Sequence, residues 1–463
     1  MLLYMYAAMA AMGASSLLAA TDPEAQLRTV LQAKTGPVNL PAGTIEVSRE
    51  IVLAPDAHDL DVGGSGTILK ASAMFRGRAL LVLPAGKNIR IHDVLLDGNR
   101  EAIARPLGLP PSDAMFSRFV PNNGILAEGV TGLDITEVKA TRLAGFAILI
   151  NASHSVHIHD VEITDSGSLN GRKRNNTTGG ILLEEGTTDF EVVDCRIGNV
   201  RGNGIWTHSL YRSARNARGR IEGNQFVLIA RDAIQVGHAT EVRVENNRGR
   251  MIGYPAEEVD LEGQAFPVAV DTAGNVDRSV YQNNQFEEID GKCFDLDGFH
   301  DGEVSGNSCV NQEEAKAYPF GNFGIIMNNS NPDMQSRNIR ITGNTIDGGL
   351  FGGIFIIGSG HTVSGNRLLR LNIAHCNDPG PINCGYAQNQ PDLLRSGIYL
   401  GAGADRPDPA KGNTVENNQI AGYGMSRHCV VAAPGVSLAA NTVAKNECSD
   451  EAAIARARLS TRH

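Results

Sequence analysis

ITGNTI, residues 341–346, is one copy of a pattern that returns as IEGNQF (221–226), VSGNSC (304–309), VSGNRL (363–368), VENNQI (415–420) and LAANTV (438–443). An apolar residue is followed after two spacers by Asn, and after one more by a second apolar residue. YQNNQF (281–286) and VENNRG (244–249) are further copies. Upstream, IHDVLL (91–96), ITEVKA (135–140), IHDVEI (158–163) and VDCRI (193–197) carry Val or Cys at the Asn place. The key positions are thus Val94, Val138, Val161, Cys195, Asn224, Asn247, Asn284, Asn307, Asn344, Asn366, Asn418 and Asn441, spaced by 22 or 23 residues where nothing is inserted.

A second element follows each copy, as in GILAE (124–128), GILLE (180–184), GIWTH (204–208), CFDLD (293–297), GIIMN (324–328) and GIYLG (397–401). Short β-rich runs bounded by Gly are strand signals. Strands this short cannot bury a face alone, but stacked as coils of a solenoid they share one continuous core. The recurring Asn fits an internal ladder in which each amide bonds the coils on either side and keeps buried turn groups paired. These asparagines build the fold and carry no chemistry.

The repeats, with VNLPAGTIEVSREI (38–51) and LLDGN (95–99), resemble the right-handed parallel β-helix of the pectate-lyase-like superfamily over roughly Val38 to Cys448. The resemblance implies an all-β fold of about twelve or thirteen coils. The expected organisation is a signal peptide over 1–20, the β-helix over 21–448, and a C-terminal capping helix or tail over 449–463. Asp22-Pro23-Glu24 is a helix start, opening an amphipathic segment to Ala33 that would plug the first coil. Ser449 or Asp450 would cap EAAIARARL (451–459) over the last, because exposed solenoid ends must be covered. Polygalacturonase-like and pectate-lyase-like site motifs are absent, so no functional residue is carried over from those groups.

Coils grow by insertion between the Asn place and the next strand, over 94–124, 161–180, 247–268, 307–324 and 366–397. Others grow just after the strand, around 209–217, 329–336 and 402–411. All border one strand column, and loops gathered on one face of a repeat array build its binding face. Strand alternation sends two side chains per coil outward from this floor. The middle coils give Trp206, Gln235, Ala269, Asp295 and Ile326 in one outward column. They give Glu184, His208, Gly237, Asp271, Asp297 and Asn328 in the other. On this reading Asp271 and Asp297 are stacked neighbours at ~4.8 Å, with Asp295 ~6.6 Å along the strand from Asp297.

Carboxylates this close need a shared proton, a cation or a base. Asp271, Asp295 and Asp297 are therefore the expected acidic centre, with His208 and His300 as proton carriers. Trp206 is either a platform for a sugar ring or packed under a wall loop. Glu184, Gln235 and Asn328 are expected to contact substrate. One chemistry is hydrolysis, with one carboxyl as acid and another as base or nucleophile. A second is elimination from a uronate, with Ca²⁺ held by Asp271 and Asp297. A third reading is a non-catalytic glycan-binding or surface-structural protein. The expected partner is a polysaccharide, met as a monomer or a homotrimer.

Composition narrows the field further. Forty-one basic against fifty-one acidic residues give a net charge of −10, which weighs against a nucleic-acid partner. The apolar first twenty residues end in small residues, as a secretory signal does, although no Lys or Arg follows Met1 and a retained membrane anchor is the other reading. After cleavage no membrane association is expected, and the chain would be secreted or periplasmic. Seven cysteines allow three disulfides there: Cys376–Cys384 across a short loop, then Cys293–Cys309 and Cys429–Cys448, with Cys195 a buried hydrophobe.

Overall fold

The computed structural model describes residues 22–261, 266–321, 324–376, 378, 384 and 390–450. Its 36 strands form a single sheet wound into a right-handed parallel β-helix. Three strand columns run along it. The floor column, for example Ile181–Glu184 on Ile205–His208, pairs in parallel register coil on coil. So do the second column, with Thr188–Val193 on Asn216–Glu222, and the third, with Arg196–Val200 on Gln225–Ile229.

The inner corner between the second and third columns explains the repeat. Asn224, Asn247, Asn284, Asn307, Asn344, Asn366, Asn418 and Asn446 form one ladder, buried up to its half-buried last rung, each amide before Asn446 donating to the next Oδ1 at 2.9–3.0 Å. Each interior Oδ1 also accepts the preceding Asn N–H, as Asn307 Oδ1 does from Asn284 at 2.9 Å. The second amide hydrogen goes to a strand carbonyl, as from Asn307 to Tyr281. Cys195 N–H donates to Asn224 Oδ1 and so begins the ladder. Val94, Val138 and Val161 fill the same corner with apolar contact.

One key position is corrected. Asn441 accepts from Asn413 N–H in a different corner, and Asn446 is the last rung. The residue before each rung has a left-handed backbone: Gly306 φ 64°, Gly343 φ 65°, Asn417 φ 57° and Lys445 φ 54°. Ala440, before Asn441, ends a 3₁₀ turn instead. Gly, Asn and Asp tolerate positive φ, which is why the motif reads Gly-Asn or Asn-Asn.

The N-terminal plug is a helix over Pro23–Val30, shorter than the expected run to Ala33, with Asp22 accepting from Glu24 N–H. It buries Leu27, and Leu31 just after it, against the first coil. The expected signal over 1–20 and the capping helix over 451–459 lie outside the described residues. Asp450, beside that segment, accepts from Ser426 N and Oγ. Disulfides join Cys293–Cys309, Cys376–Cys384 and Cys429–Cys448. Cys195 is free and buried, its thiol pushed up to about 12 by desolvation. Among the described residues no helix is long and apolar enough to cross a membrane.

In another corner an imidazole replaces an amide. His361 Nδ1 accepts from Ile339 N–H, and its Nε2–H donates to the Ile357 carbonyl. Burial lowers its pKa to about 4, so this rung is neutral at pH 7. Its stabilising effect is complete above the unfolded-state value near 6.5 and is lost as pH falls toward 4. The loss is about 3 kcal/mol. His361→Asn, an amide rung without a titration, is expected to lose about that much less stability than wild type between pH 7 and 4 in urea unfolding.

Candidate functional site

The floor strands carry the expected outward side chains, but one strand is two residues out of the expected phase. Val270, not Val268, pairs with Ile234 and Phe294. Asp271 therefore lies between Gln235 and Asp295, and Ala273 lies beside Asp297. The expected direct stack of Asp271 on Asp297 is replaced by a stack of Asp271 on Asp295. Asp271 and Asp297 are diagonal, so they do not form the adjacent pair expected for Ca²⁺.

Around Asp271 the structure gathers a buried charged cluster. Gln235 Nε2 donates to Asp271 Oδ2 at 2.7 Å, and Gln235 Oε1 accepts from Asn203 Nδ2 at 2.6 Å. Lys292 Nζ forms an ion pair with Asp295 Oδ2. Asp295 Oδ1 is buried with no hydrogen-bond partner. Arg231 and Asp232 join from the corner that precedes the floor strand, with Arg231 Nε 3.6 Å from Asp232 Oδ2. Asp232 Oδ1 accepts from Val268 N–H and so ties that corner to the next coil.

Two of these carboxyls are held in the acid form more strongly than usual. Burial, then the nearby charges of Asp232 and Asp295, raise the Asp271 pKa well above the ordinary aspartate value. Burial raises Asp232 to about 6 against the opposing effect of Arg231. Two adjacent carboxyls in unequal surroundings are suited to different roles. A protonated Asp271 can give a proton, and its Oδ1 is left for that proton by the Gln235 bond to Oδ2. Asp295, ion-paired through Oδ2, keeps a buried Oδ1 without a hydrogen-bond partner.

The walls rise from both ends of the floor strands. On one side the 98–122 loop carries a short helix, Phe116–Phe119, and Leu107 N–H bonds Leu169 of the next loop. Arg172 and Asn170 in turn bind Asp260 at 2.6 and 2.5 Å. On the other side Asn331 Nδ2 donates to Tyr211 Oη at 2.6 Å, and Asn329 Oδ1 accepts from Arg406 N–H. Between Pro110, Pro111, Phe116, Thr177, Trp206, His208 and Arg231 lies a cleft of about 220 Å³.

The remaining expected site residues divide clearly. Trp206 is 6% exposed, with Phe116 edge-on at 4.7 Å, so it packs under the wall and only helps to line the cleft. Glu184 is corrected from a substrate contact to a wall anchor. It is fully buried, and its carboxylate accepts from Phe116 N, Ser117 N and Asn151 Nδ2 at 2.8–3.1 Å. Gln235 is likewise committed to Asp271 and Asn203. Asp297 accepts from Ser330 N and Oγ and holds the far wall, while Asn328 stays half-buried on the floor with its Oδ1 accepting from the adjacent Asn329 N–H. His300 lies beyond the turn at Gly298 and bonds Asp301, apart from the cluster. His208 lines the cleft, and burial lowers its pKa to about 4, which makes it a neutral imidazole at pH 7.

Arg231, Asp232 and Asn203 escaped the sequence reading, because strand alternation does not reach the corner positions they occupy. Their signal is weak but present: charged residues sit at the corner just before a Gly-Ile or Ala-Ile strand start, as Arg231-Asp232 does before Ala233-Ile234.

No protein-family model and no curated protein matches this sequence. Solved structures do match its fold. A mutant tailspike protein of E. coli bacteriophage HK620, in complex with a pentasaccharide, aligns with TM-score 0.57 at 10% identity over 92% of this chain and 74% of that one. PfbA, a surface adhesin of Streptococcus pneumoniae, aligns with TM-score 0.55 at 14% identity over 75% and 87%. The A-module of the Azotobacter vinelandii mannuronan C-5 epimerase AlgE4 aligns with TM-score 0.53 at 14% identity over 92% and 96%. All three are β-helix proteins of the pectate-lyase-like kind.

Lys292 and Asp295 side chains are 9% and 8% exposed, so each depends on the other. Lys292→Met is expected to cost about 3–5 kcal/mol by leaving a carboxylate buried without its cation. The double variant Lys292→Met/Asp295→Asn should recover most of that loss in chemical denaturation.

Proposed function

We propose that this right-handed parallel β-helix, with the fold of the pectate-lyase-like superfamily, is an exported enzyme that hydrolyses a polysaccharide along its loop-walled floor. The observation that carries the proposal is the stacked pair Asp271–Asp295. One carboxyl is favoured in its acid form by burial and like charge, and its neighbour is ion-paired to Lys292.

In this mechanism Asp271 protonates the leaving glycosidic oxygen while Asp295 Oδ1 attacks the anomeric carbon, and a water deprotonated by Asp271 then displaces Asp295 and completes the hydrolysis. Side chains on adjacent strands start ~4.8 Å apart, which suits the ~5–5.5 Å of an acid and nucleophile pair. Asn203 and Gln235 orient Asp271, and Lys292 orients Asp295. Hydrolysis is favoured over elimination because Lys292, the cation beside the pair, is already engaged by Asp295.

Two proteins with this fold support a saccharide as the occupant of the groove: a mannuronan C-5 epimerase module and a tailspike holding a pentasaccharide. Export is supported by three disulfides, which persist in oxidising compartments. The adhesin-like reading, a protein that holds a glycan without turnover, lacks a use for a buried pair of stacked carboxyls beside a lysine.

Purified protein tested against a panel of plant and bacterial polysaccharides is expected to release reducing ends with no ultraviolet-absorbing unsaturated product. Asp271→Asn should lower kcat/KM by about 10²–10⁴, the range of a general acid, with KM little changed. Glycan binding without turnover, the same in Asp271→Asn as in wild type, would overturn the proposal in favour of a binding protein.

A further inference from the structure

The corner that follows the floor strand two coils before Asp271 gathers a second set of donor atoms, independent of the acid pair. Glu184 and His208 are register partners on adjacent coils. Glu185, with φ 56°, turns the chain just after Glu184, and its N–H donates to the His208 carbonyl. One carboxylate oxygen from each glutamate and one ring nitrogen of His208 lie within 4.8 Å of one another.

We propose that Glu184, Glu185 and His208 bind a divalent transition-metal ion of the Zn²⁺ type, which ties the Phe116–Phe119 wall to the coil that carries Trp206. Glu184 is fully buried, yet among the described residues its partners are uncharged donors, three N–H groups and the Ser117 hydroxyl, and no cation. A buried carboxylate without a counter-ion is costly unless a positive charge is supplied. His208 Nδ1 is an independent sign of a missing partner: it is buried, with no hydrogen bond.

The surroundings suit ligation. Phe116 and Trp206 rings stand at 5.2 Å from the imidazole and fix its plane. Leu210 N–H donates to Glu185 Oε1 at 2.8 Å, the outer support that orients a ligating carboxylate. One imidazole and two carboxylates match the three-ligand sites that leave a fourth position for water. Ca²⁺ takes six to eight oxygens, so the imidazole selects against it.

The test uses the full chain, stripped with a chelator and titrated calorimetrically with Zn²⁺ and, separately, with Ca²⁺. One Zn²⁺ per chain is expected, with Ca²⁺ at least tenfold weaker. Glu185→Gln and His208→Gln should each weaken Zn²⁺ at least tenfold. Binding retained in both variants would place the ion on surface histidines and overturn the proposal, as would no saturable binding at millimolar Zn²⁺. If a variant fails to fold, the visible spectrum of the Co²⁺-loaded wild-type chain decides. Intense four- or five-coordinate bands support the site, and a weak six-coordinate spectrum refutes it.

Discussion

A parallel solenoid has to pair the backbone groups that its inner corners bury on every coil. Here the Asn ladder meets that constraint: each interior amide makes four hydrogen bonds, two as acceptor and two as donor, at 2.9–3.1 Å. An unpaired buried donor or acceptor costs about 1–3 kcal/mol, so a missing rung affects the coils on both sides. The ladder also fixes the phase of the stack. Each rung must follow a left-handed residue, and that residue sets where the next strand begins.

Because the phase is fixed, side chains on the floor meet their neighbours at constant separation. Asp271 lies on Asp295 for the same reason that Asn284 lies on Asn307. The site then differs from the rest of the floor in what surrounds it. Upstream, Leu126, Leu149, Leu182 and Trp206 pack with Phe116 and Phe146 in a second apolar cluster outside the main core. Glu184 closes that cluster by holding the Phe116 and Ser117 amides. The polar coils begin where this cover ends, with Gln235, Asp271 and Asp295.

The fold was legible because a short apolar alternation and a left-handed Asn corner recur together. LAANTV shows the limit of the apolar half of that signal. It has the right apolar spacing, but Ala440 does not supply the left-handed residue, whereas Lys445 does for Asn446. The floor strand at 268–277 shows a second limit. A shift of two residues keeps every side chain on its face, so alternation alone cannot tell Val268 from Val270 as the strand's first inward residue. That ambiguity exchanged Asp295 for Asp297 as the neighbour of Asp271. Outward direction was readable for Glu184 and Trp206, but the loop that covers them comes from sixty or more residues away. Nothing in their local sequence marks that contact. Arg231 and Asp232 reach the site from a corner, where strand alternation says nothing.

The account rests on Asp271 being biased toward its acid form by burial, and then by the neighbouring carboxyls of Asp232 and Asp295. Carboxyl titration by ¹³C NMR or infrared difference spectroscopy, in wild type and in Asp271→Asn, measures this directly. The expected result is a carboxyl signal that stays protonated well above the usual aspartate range and disappears in the variant. If the Asp271 signal ionises in the ordinary range near pH 4, the acid pair is not set as described and the catalytic reading fails.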